Sequence, residues 1–298
     1  MTDRPLVIAH RGASADEPEH TLAAYTEAIN VGADGVECDV RLTADGHLVC
    51  VHDRTVDRTS NGRGLVSTLE LTELQGLDWG SWKAREQEAE RHGSARDAEE
   101  PDVVSAGERA HLLTLKTLLS LVADTDRRVE VAIETKHPTR YGGLVERTLV
   151  ELLQYFGWAG GGPEPTGPAS PVRVMSFSVL AVRRMRQLAP EVPRVFLMTR
   201  VPLPFRDGSL PPGVTTAGVG VEALRRDPAY AERLHDRGRQ LFAFTVDDPA
   251  DIELCRALEA EAIITNRPAD VLAQLAKDPP EGLRRRLVTH PGPAPATL

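Results

Sequence analysis

The sequence predicts a (β/α)8 barrel, and three observations support this prediction. Eight short apolar runs alternate with longer amphipathic runs along the 298 residues. Most of the short runs are continuously apolar, which is typical of parallel strands covered on both faces. Eight strand–helix units within about 250 residues match the repeat of this barrel. A doubly wound open sheet is the alternative, but its glycine-rich dinucleotide signature does not follow the first strand.

The strands and helices follow in an order that a barrel requires. The strand candidates are residues 6–10, 34–40, 129–135, 172–177, 193–199, 216–221, 240–246 and 261–266. The helix candidates, with apolar residues at helical spacing, are residues 21–32, 115–124, 142–157, 178–189, 228–238, 249–260 and 268–278. In the first helix, Leu22, Tyr25 and Ile29 share one face, and Gly32 suits the position after its end.

One gap is too long for a simple connection. Residues 53–112 separate the second barrel strand from the third, and they follow an extra strand candidate at 47–52. We interpret them as an insertion in a single barrel domain of residues 1–278, since a loop of this length is functional or disordered. Residues 84–107 are expected to be its least ordered part. The Pro-rich residues 279–298 predict a disordered tail.

Composition and charge argue against several classes of function. The net charge of −9, with dispersed arginines, disfavours a nucleic-acid partner, which needs a basic face. Cys38, Cys50 and Cys255 are too few for a disulfide framework and are expected as small buried hydrophobes. No run reaches the ~18 apolar residues of a membrane-spanning helix, and no leader precedes the first strand. We expect a cytoplasmic protein without stable membrane insertion, and the sequence leaves its oligomeric state open.

Three carboxylates lie in otherwise apolar strands. Glu37 and Asp39 share one strand and Glu134 lies on the next barrel strand, at the carboxyl ends where barrel active sites are built. A single carboxylate in such a strand predicts a structural ion pair, but three on neighbouring strands favour a bound cation. The set contains no cysteine, and the histidines are not spaced like zinc ligands, so the oxygen donors favour a hard cation. Mg²⁺ or Ca²⁺ fits this set, and Mn²⁺ is an alternative. Such an ion would neutralise and polarise an anionic substrate.

Cations and histidines are expected at the same end of the barrel. Arg11 follows the first strand and Lys136 follows the third, and both suit contacts with a substrate anion. His10 ends the first strand and His52 ends the extra strand. Two histidines flanking a phosphate suit general acid and base catalysis near neutral pH. The sequence does not decide which histidine takes which role, and our working hypothesis makes His10 the base and His52 the acid.

The chain resembles the glycerophosphodiester phosphodiesterase family. The matching stretches are HRG (10–12), PEHT (18–21), GADGVECDV (32–40), TADGHLVCVHD (43–53), DRTSNGRG (57–64), LTELQGLDWGSW (71–82), HLLTLKTLL (111–119), AIETK (132–136), FTVDD (244–248) and IITNRPAD (263–270). The resemblance implies a barrel with an insertion after strand two and metal-dependent hydrolysis of small glycerophosphodiesters to sn-glycerol 3-phosphate and an alcohol. It implies the metal ligands Glu37, Asp39 and Glu134, the acid–base pair His10 and His52, and the phosphate-binding residues Arg11 and Lys136.

Other positions follow from the same match. Phe244 stands where many members of the family have Trp, and its ring is expected to pack against the glycerol or the leaving group. Glu19 of PEHT either joins the site or braces the loop after the first strand, and we favour the bracing role. His20 is expected at the surface or in a loop. The sequence leaves open whether water or the glycerol 2-hydroxyl attacks the phosphorus.

Two other functions remain possible from the sequence. A lysophospholipase D would use the same site on a lipid-tailed substrate, and an apolar lip around the rim would support this function. Residues 201–212 offer Val201, Leu203, Phe205 and Leu210 for one. The acidic net charge and the lack of an anchor argue against it. A barrel retained as a binding or scaffold module is the second possibility, and the complete catalytic set argues against that.

Overall fold

A computed structural model describes residues 4–92, 110–139, 142–160 and 170–277. The strands in this part of the chain are β1 Leu6–His10, β2 Gly35–Leu42, β3 Leu48–Cys50, β4 Glu130–Thr135, β5 Val172–Ser176, β6 Arg194–Met198, β7 Thr216–Gly220, β8 Gln240–Phe244 and β9 Ala262–Thr265. The helices are α1 Leu22–Asn30, α2 Leu71–Gln75, α3 Ser81–His92, α4 Leu115–Ala123, α5 Leu144–Tyr155, α6 Val179–Leu188, α7 Val221–Arg226, α8 Ala229–His235, α9 Pro249–Ala257 and α10 Pro268–Leu275.

Eight of these strands close into a parallel barrel, which confirms the predicted fold. The order around the barrel is β1, β2, β4, β5, β6, β7, β8 and β9, and β1 pairs with both β2 and β9. β3 pairs antiparallel with β2 outside the ring. The registers place His10 opposite Glu37 and Asp39 opposite Glu134. The carboxyl ends of the strands therefore bring the predicted chemical groups to one rim.

Apolar side chains fill both faces of the barrel wall. One buried cluster, which includes Ile8, Met175 and Phe242, draws its residues from the strands alone. Two larger clusters pack the helices against the outer face. Burial on both faces explains why the strands are continuously apolar, since each fully buried large side chain contributes about 1.5–3 kcal/mol.

Side-chain caps explain where several helices begin. Thr21, Thr114, Ser178 and Asp248 each accept a hydrogen bond from a backbone N–H in the first turn of α1, α4, α6 and α9. Each such cap is worth about 1 kcal/mol. Among the described residues, none of the helices combines the length and hydropathy needed to cross a bilayer.

Three local predictions need correction or fall outside the described residues. Leu22 is 48% exposed, because Ala24, Tyr25 and Ala28 form the buried face of α1 instead. The first part of the segment 84–107 belongs to α3, since its Ala, Arg, Gln and Glu residues favour a helix despite their charge. The rest of that segment, from residue 93, lies outside the described residues, as does the predicted tail 279–298.

The described part of the segment between β3 and α4 packs on the barrel through its own small core. Val51, Val56, Leu74 and Trp79 belong to one buried cluster, and the indole N–H of Trp79 donates to the carbonyl of Leu74 at 2.9 Å. This core holds the polar turns of the segment beside the carboxyl ends of β2 and β3.

The turn after β1 depends on left-handed backbone. Arg11 has φ 58° and Gly12 has φ 86°. A Cβ atom on Gly12 would lie 2.6 Å from the carbonyl carbon of Ala24 in α1. Gly12 therefore lets the chain turn closely against α1, and this turn leaves the backbone N–H of Arg11 donating to Oε2 of Glu37 at 3.0 Å.

Replacing Gly12 by Ala is expected to lower the free energy of unfolding by about 2–4 kcal/mol. The positive φ is unfavourable for a residue with a Cβ, and the new Cβ would also clash with Ala24. Gly32→Ala is the matched control. Gly32 has φ 89° with no atom within 4 Å of an added Cβ, so only the backbone cost of about 1–2 kcal/mol applies. Urea denaturation measures the free energy of unfolding of both variants. An equal decrease in the two would show that the contact with Ala24 does not add to the cost of the Gly12 substitution.

Candidate active site

Three buried carboxylates form the centre of the rim. Glu37, Asp39 and Glu134 each place an oxygen within 4.8 Å of the others. Burial and the charge of Asp39 raise the pKa of Glu37 well above its usual range, and the same two causes raise the pKa of Glu134 to about 7. A cluster of oxygen donors with this excess of negative charge fits a hard divalent cation. A bound cation would lower the pKa of Glu37 and Glu134 again and so keep both carboxyls ionised.

Two cationic side chains touch the same carboxylates. Nζ of Lys136 lies 2.8 Å from Oδ1 of Asp39 and 2.8 Å from Oε1 of Glu134. Nε of Arg11 lies 3.1 Å from Oδ2 of Asp39. Burial alone would raise the pKa of Asp39, but a hydrogen bond from His20 and the charges of Lys136 and Arg11 hold that pKa well below its usual range. Asp39 is therefore an anion, and both cations border the carboxylate cluster.

His20 belongs to this site: it lies in the turn between β1 and α1, which agrees with the predicted loop position, but it is buried, so the predicted surface position is wrong. Its side chain is 5% exposed, and Nε2 lies 2.9 Å from Oδ2 of Asp39. Nδ1 lies 2.7 Å from the hydroxyl of Tyr25, which in turn donates to the carbonyl of Glu37 at 3.1 Å. His20 thus ties Asp39 to α1. The sequence signal was its place in PEHT, five residues before the buried Tyr25.

Hydrogen bonds from the end of β9 orient His10. Nδ1 of His10 lies 2.7 Å from Oδ1 of Asn266, whose Nδ2 donates to Asp247 at 2.6 Å. Because a carboxylate only accepts, Asn266 presents its oxygen to His10, and Nδ1 of His10 carries the proton. Nε2, which is then unprotonated, lies 3.9 Å from Oε2 of Glu37. Burial and the charge of Arg11 lower the pKa of His10 to about 4, so its ring is neutral at pH 7.

His52 is held by the loop that follows β3. Nδ1 of His52 lies 2.6 Å from Oδ1 of Asp53, and Nε of Arg58 donates to the other oxygen of Asp53 at 2.7 Å. Arg41 donates twice to the backbone carbonyl of His52, at 3.0 and 2.6 Å. Burial lowers the pKa of His52, and the charge of Asp39 opposes that shift. Asp53 therefore keeps a proton on Nδ1, which leaves Nε2 to act on a substrate.

Glu19 braces the loop after β1 through two arginines. It accepts hydrogen bonds from Arg58 at 2.8 and 2.7 Å and from Arg11 at 3.1 Å. Burial alone would raise the pKa of Glu19, but the Arg58 hydrogen bonds and the Arg11 charge lower it to about 2. Arg58 therefore links two parts of the site. It bonds to Asp53, which contacts His52, and to Glu19, which contacts Arg11.

Aromatic rings lie at the ends of β5 and β8. Phe244 ends β8 and meets Phe177 edge to face, with ring centroids 5.9 Å apart, and Phe177 is 43% exposed. The apolar lip expected from residues 201–212 is largely wrong, because most of its side chains pack on the hydrophobic cluster outside the barrel. Those side chains are Val201, Phe205 and Leu210. Leu203 alone of the four predicted residues is strongly exposed, at 75%.

The structure brings the predicted ionisable residues together, but several of their partners were not predicted. These partners are Asp53, Arg58, Asp247 and Asn266. All four lie in stretches that match the family motifs, and that membership was their only signal in the sequence. Asn266 and Asp53 occupy Nδ1 of His10 and His52, which leaves Nε2 of each ring for a substrate.

Comparison with known proteins gives consistent matches over nearly the whole chain. The sequence model of the "Glycerophosphoryl diester phosphodiesterase family" matches residues 10–270. The chain is 45% identical over 289 residues to "Probable glycerophosphodiester phosphodiesterase 1" of Mycobacterium tuberculosis, covering 96% of this chain and 97% of the relative. It is 31% identical over 281 residues to "Glycerophosphodiester phosphodiesterase" of Caldanaerobacter subterraneus, covering 92% and 99%.

Solved structures share the fold. An Oleispira antarctica phosphodiesterase in complex with the product sn-glycerol-3-phosphate aligns with a TM-score of 0.72 at 23% identity, over 92% of this chain and 98% of that one. A glycerophosphodiester phosphodiesterase from Agrobacterium tumefaciens aligns with a TM-score of 0.67 at 24% identity, over 90% and 99%. The barrel fold of this chain is therefore shared with these solved structures.

Proposed function

The chain belongs to the glycerophosphoryl diester phosphodiesterase family and is an enzyme of that class, and we propose that it hydrolyses small glycerophosphodiesters to sn-glycerol 3-phosphate and an alcohol. The observation that carries this proposal is the buried cluster of Glu37, Asp39 and Glu134 with His10 and His52 at the same rim. The solved Oleispira antarctica phosphodiesterase, which holds sn-glycerol-3-phosphate as its product, supports the identity of the product.

A divalent cation is part of the proposal. Glu37, Asp39 and Glu134 would hold it, and all three offer the oxygen donors that Mg²⁺ and Ca²⁺ prefer, with Mn²⁺ as an alternative. When bound, the ion supplies charge neutralisation and polarisation of the phosphate. Arg11 and Lys136 add charge-assisted hydrogen bonds to the phosphate oxygens, since both already border the cluster through Asp39.

His10 acts as the general base in this proposal. Its hydrogen bond with Asn266 leaves Nε2 without a proton, and the carboxylate of Glu37 lies near that nitrogen. Nε2 accepts the proton of the attacking hydroxyl, either of water or of the glycerol 2-hydroxyl, as a new oxygen–phosphorus bond forms. Asn266 and Asp247 are positioning residues, because they act through the tautomer and orientation of His10.

His52 acts as the general acid. Asp53 accepts the Nδ1 hydrogen bond and stabilises the imidazolium, whose Nε2 proton passes to the oxygen of the leaving alcohol as its bond to phosphorus breaks. Arg58 holds Asp53 in place. Phe244, with Phe177 against it, offers an apolar face to the glycerol or the leaving group.

A lysophospholipase D remains the second candidate function because of one observation. Phe177, Val179 and Leu180 are 43%, 42% and 59% exposed where β5 leads into α6, and Phe177 contacts Phe244. An acyl chain that left the site over these residues would bury apolar surface. This surface differs from the lip expected at residues 201–212.

A substrate panel tests both functions. We expect sn-glycerol 3-phosphate release from glycerophosphocholine, glycerophosphoethanolamine, glycerophosphoglycerol and glycerophosphoinositol, measured by a coupled enzymatic assay with a divalent cation present. Choline release from lysophosphatidylcholine, measured in parallel, is expected to be slower than choline release from glycerophosphocholine. Faster release from the lysolipid would favour the second function, and no release from any substrate would contradict both.

A further inference from the structure

A cavity of about 340 Å³ opens beside the candidate active site. Lys136, which contacts Asp39 and Glu134, forms part of its wall. Arg41 forms another part and lies two residues after Asp39 on β2, so both side chains belong to the same face of the strand. The cavity therefore shares its wall with the residues proposed to bind the phosphate.

The wall of this cavity is strongly cationic. Arg41, Arg54 and Lys136 line it, and none of the described lining residues is acidic. Burial lowers the pKa of Arg41 and the charge of Arg54 adds to that shift, whereas the nearby carboxylates of Asp39, Asp53 and Glu134 oppose it. Within the described ranges, no carboxylate forms an ion pair with Arg54, whereas Lys136 already pairs with two. Arg54 thus presents a guanidinium whose charge is available to a bound anion.

The rest of the wall suits a small polar ligand. Ser67 and Thr68 contribute hydroxyls, and Leu42, Val66 and Pro138 contribute apolar surface. The volume falls at the lower end of small-molecule sites, which suits the alcohol part of a diester better than a lipid tail. The cavity lies on β2, β4 and the segment after β3, whereas the exposed Phe177 and Leu180 follow β5.

We propose that this cavity, the arginine subsite, binds an oxyanion carried by the leaving alcohol, so that the enzyme prefers glycerophosphodiesters whose alcohol bears a second phosphate. This inference rests on the proposed function and names the substrate class of the same site. The forked N–H donors of an arginine match pairs of phosphate oxygens. A neutral alcohol gains none of this attraction, and the ammonium of choline is repelled by the guanidinium of Arg54, which has no ion pair among the described residues.

The test compares two diesters that differ by one group: glycerophosphoglycerol, and the same diester with a phosphate monoester on its far glycerol. Phosphorus NMR follows diester consumption by the full-length protein with a divalent cation present. We expect kcat/KM to favour the phosphorylated diester by about tenfold or more. In Arg54→Gln most of this preference is expected to be lost, mainly because KM for the phosphorylated diester rises. This is the change expected on losing one charge-assisted contact.

Arg63→Gln is the matched control, because Arg63 is an exposed arginine of the same segment that does not line the cavity. It is expected to keep the wild-type preference. Equal kcat/KM for the two diesters in the wild type, or the same preference in Arg54→Gln as in the wild type, would overturn the arginine subsite while leaving the phosphodiesterase in place. Consumption of neither diester would overturn both proposals.

Discussion

Replacing His10 or His52 by Ala is expected to lower kcat by roughly 10²–10⁴-fold, the loss that follows removal of a positioned proton acceptor or donor. His10 would lose the Nε2 atom that faces Glu37, and His52 would lose the ring that Asp53 orients. His47→Ala is the control, since the side chain of His47 is 55% exposed and lies in the turn between β2 and β3. Steady-state rates near wild type for both site variants would contradict the assignment.

A substrate with a p-nitrophenyl leaving group separates the two roles. This group departs without protonation, so the diester needs a base but no acid. His52→Ala is expected to recover most of its lost rate on this substrate, whereas His10→Ala is expected to remain impaired. Recovery in His10→Ala instead would exchange the roles of the two histidines.

Replacing Glu37 by Gln is expected to abolish divalent-cation binding and catalytic activity together. Gln keeps the size of the side chain but removes the charge that a hard cation needs. Because burial and Asp39 raise the pKa of Glu37 well above its usual range, the neutral Gln resembles the protonated carboxyl, and the metal-free protein is expected to stay folded. Isothermal calorimetry with Mg²⁺, Ca²⁺ and Mn²⁺ measures binding, and circular dichroism confirms folding.

Glu27→Gln is the control for this variant. Glu27 lies on an exposed face of α1, so its replacement removes the same charge without touching the carboxylate cluster. It is expected to bind the cation as the wild type does. Wild-type affinity in Glu37→Gln would show that the cation, if bound, is held elsewhere.

The barrel and its carboxylate cluster were predictable because both depend on local pattern. Continuous apolar runs indicated parallel strands buried on both faces. The spacing of Glu37 and Asp39, and of Glu134 and Lys136, placed each pair on one side of a strand. The pairing of β2 with β4 then set Asp39 opposite Glu134.

The partners of the histidines were not predictable in the same way. Asn266 meets His10 only because β9 closes the barrel against β1, and no local pattern reports a contact between residues so distant in sequence. His20 reaches Asp39 through a left-handed backbone conformation at φ 61°, which its motif alone does not indicate. The lip at 201–212 failed for a related reason, since tertiary packing on the outer face of the barrel decided which of its side chains were exposed.

The most direct test of a metal-dependent phosphodiesterase is sn-glycerol 3-phosphate release before and after removal of divalent cations. The wild-type protein is treated exhaustively with chelator, checked for residual metal by mass spectrometry, and assayed on glycerophosphoglycerol or the fastest substrate of the panel. We expect release to stop in the metal-free protein and to return when Mg²⁺, Ca²⁺ or Mn²⁺ is added. Undiminished release by protein shown to be metal-free would contradict it.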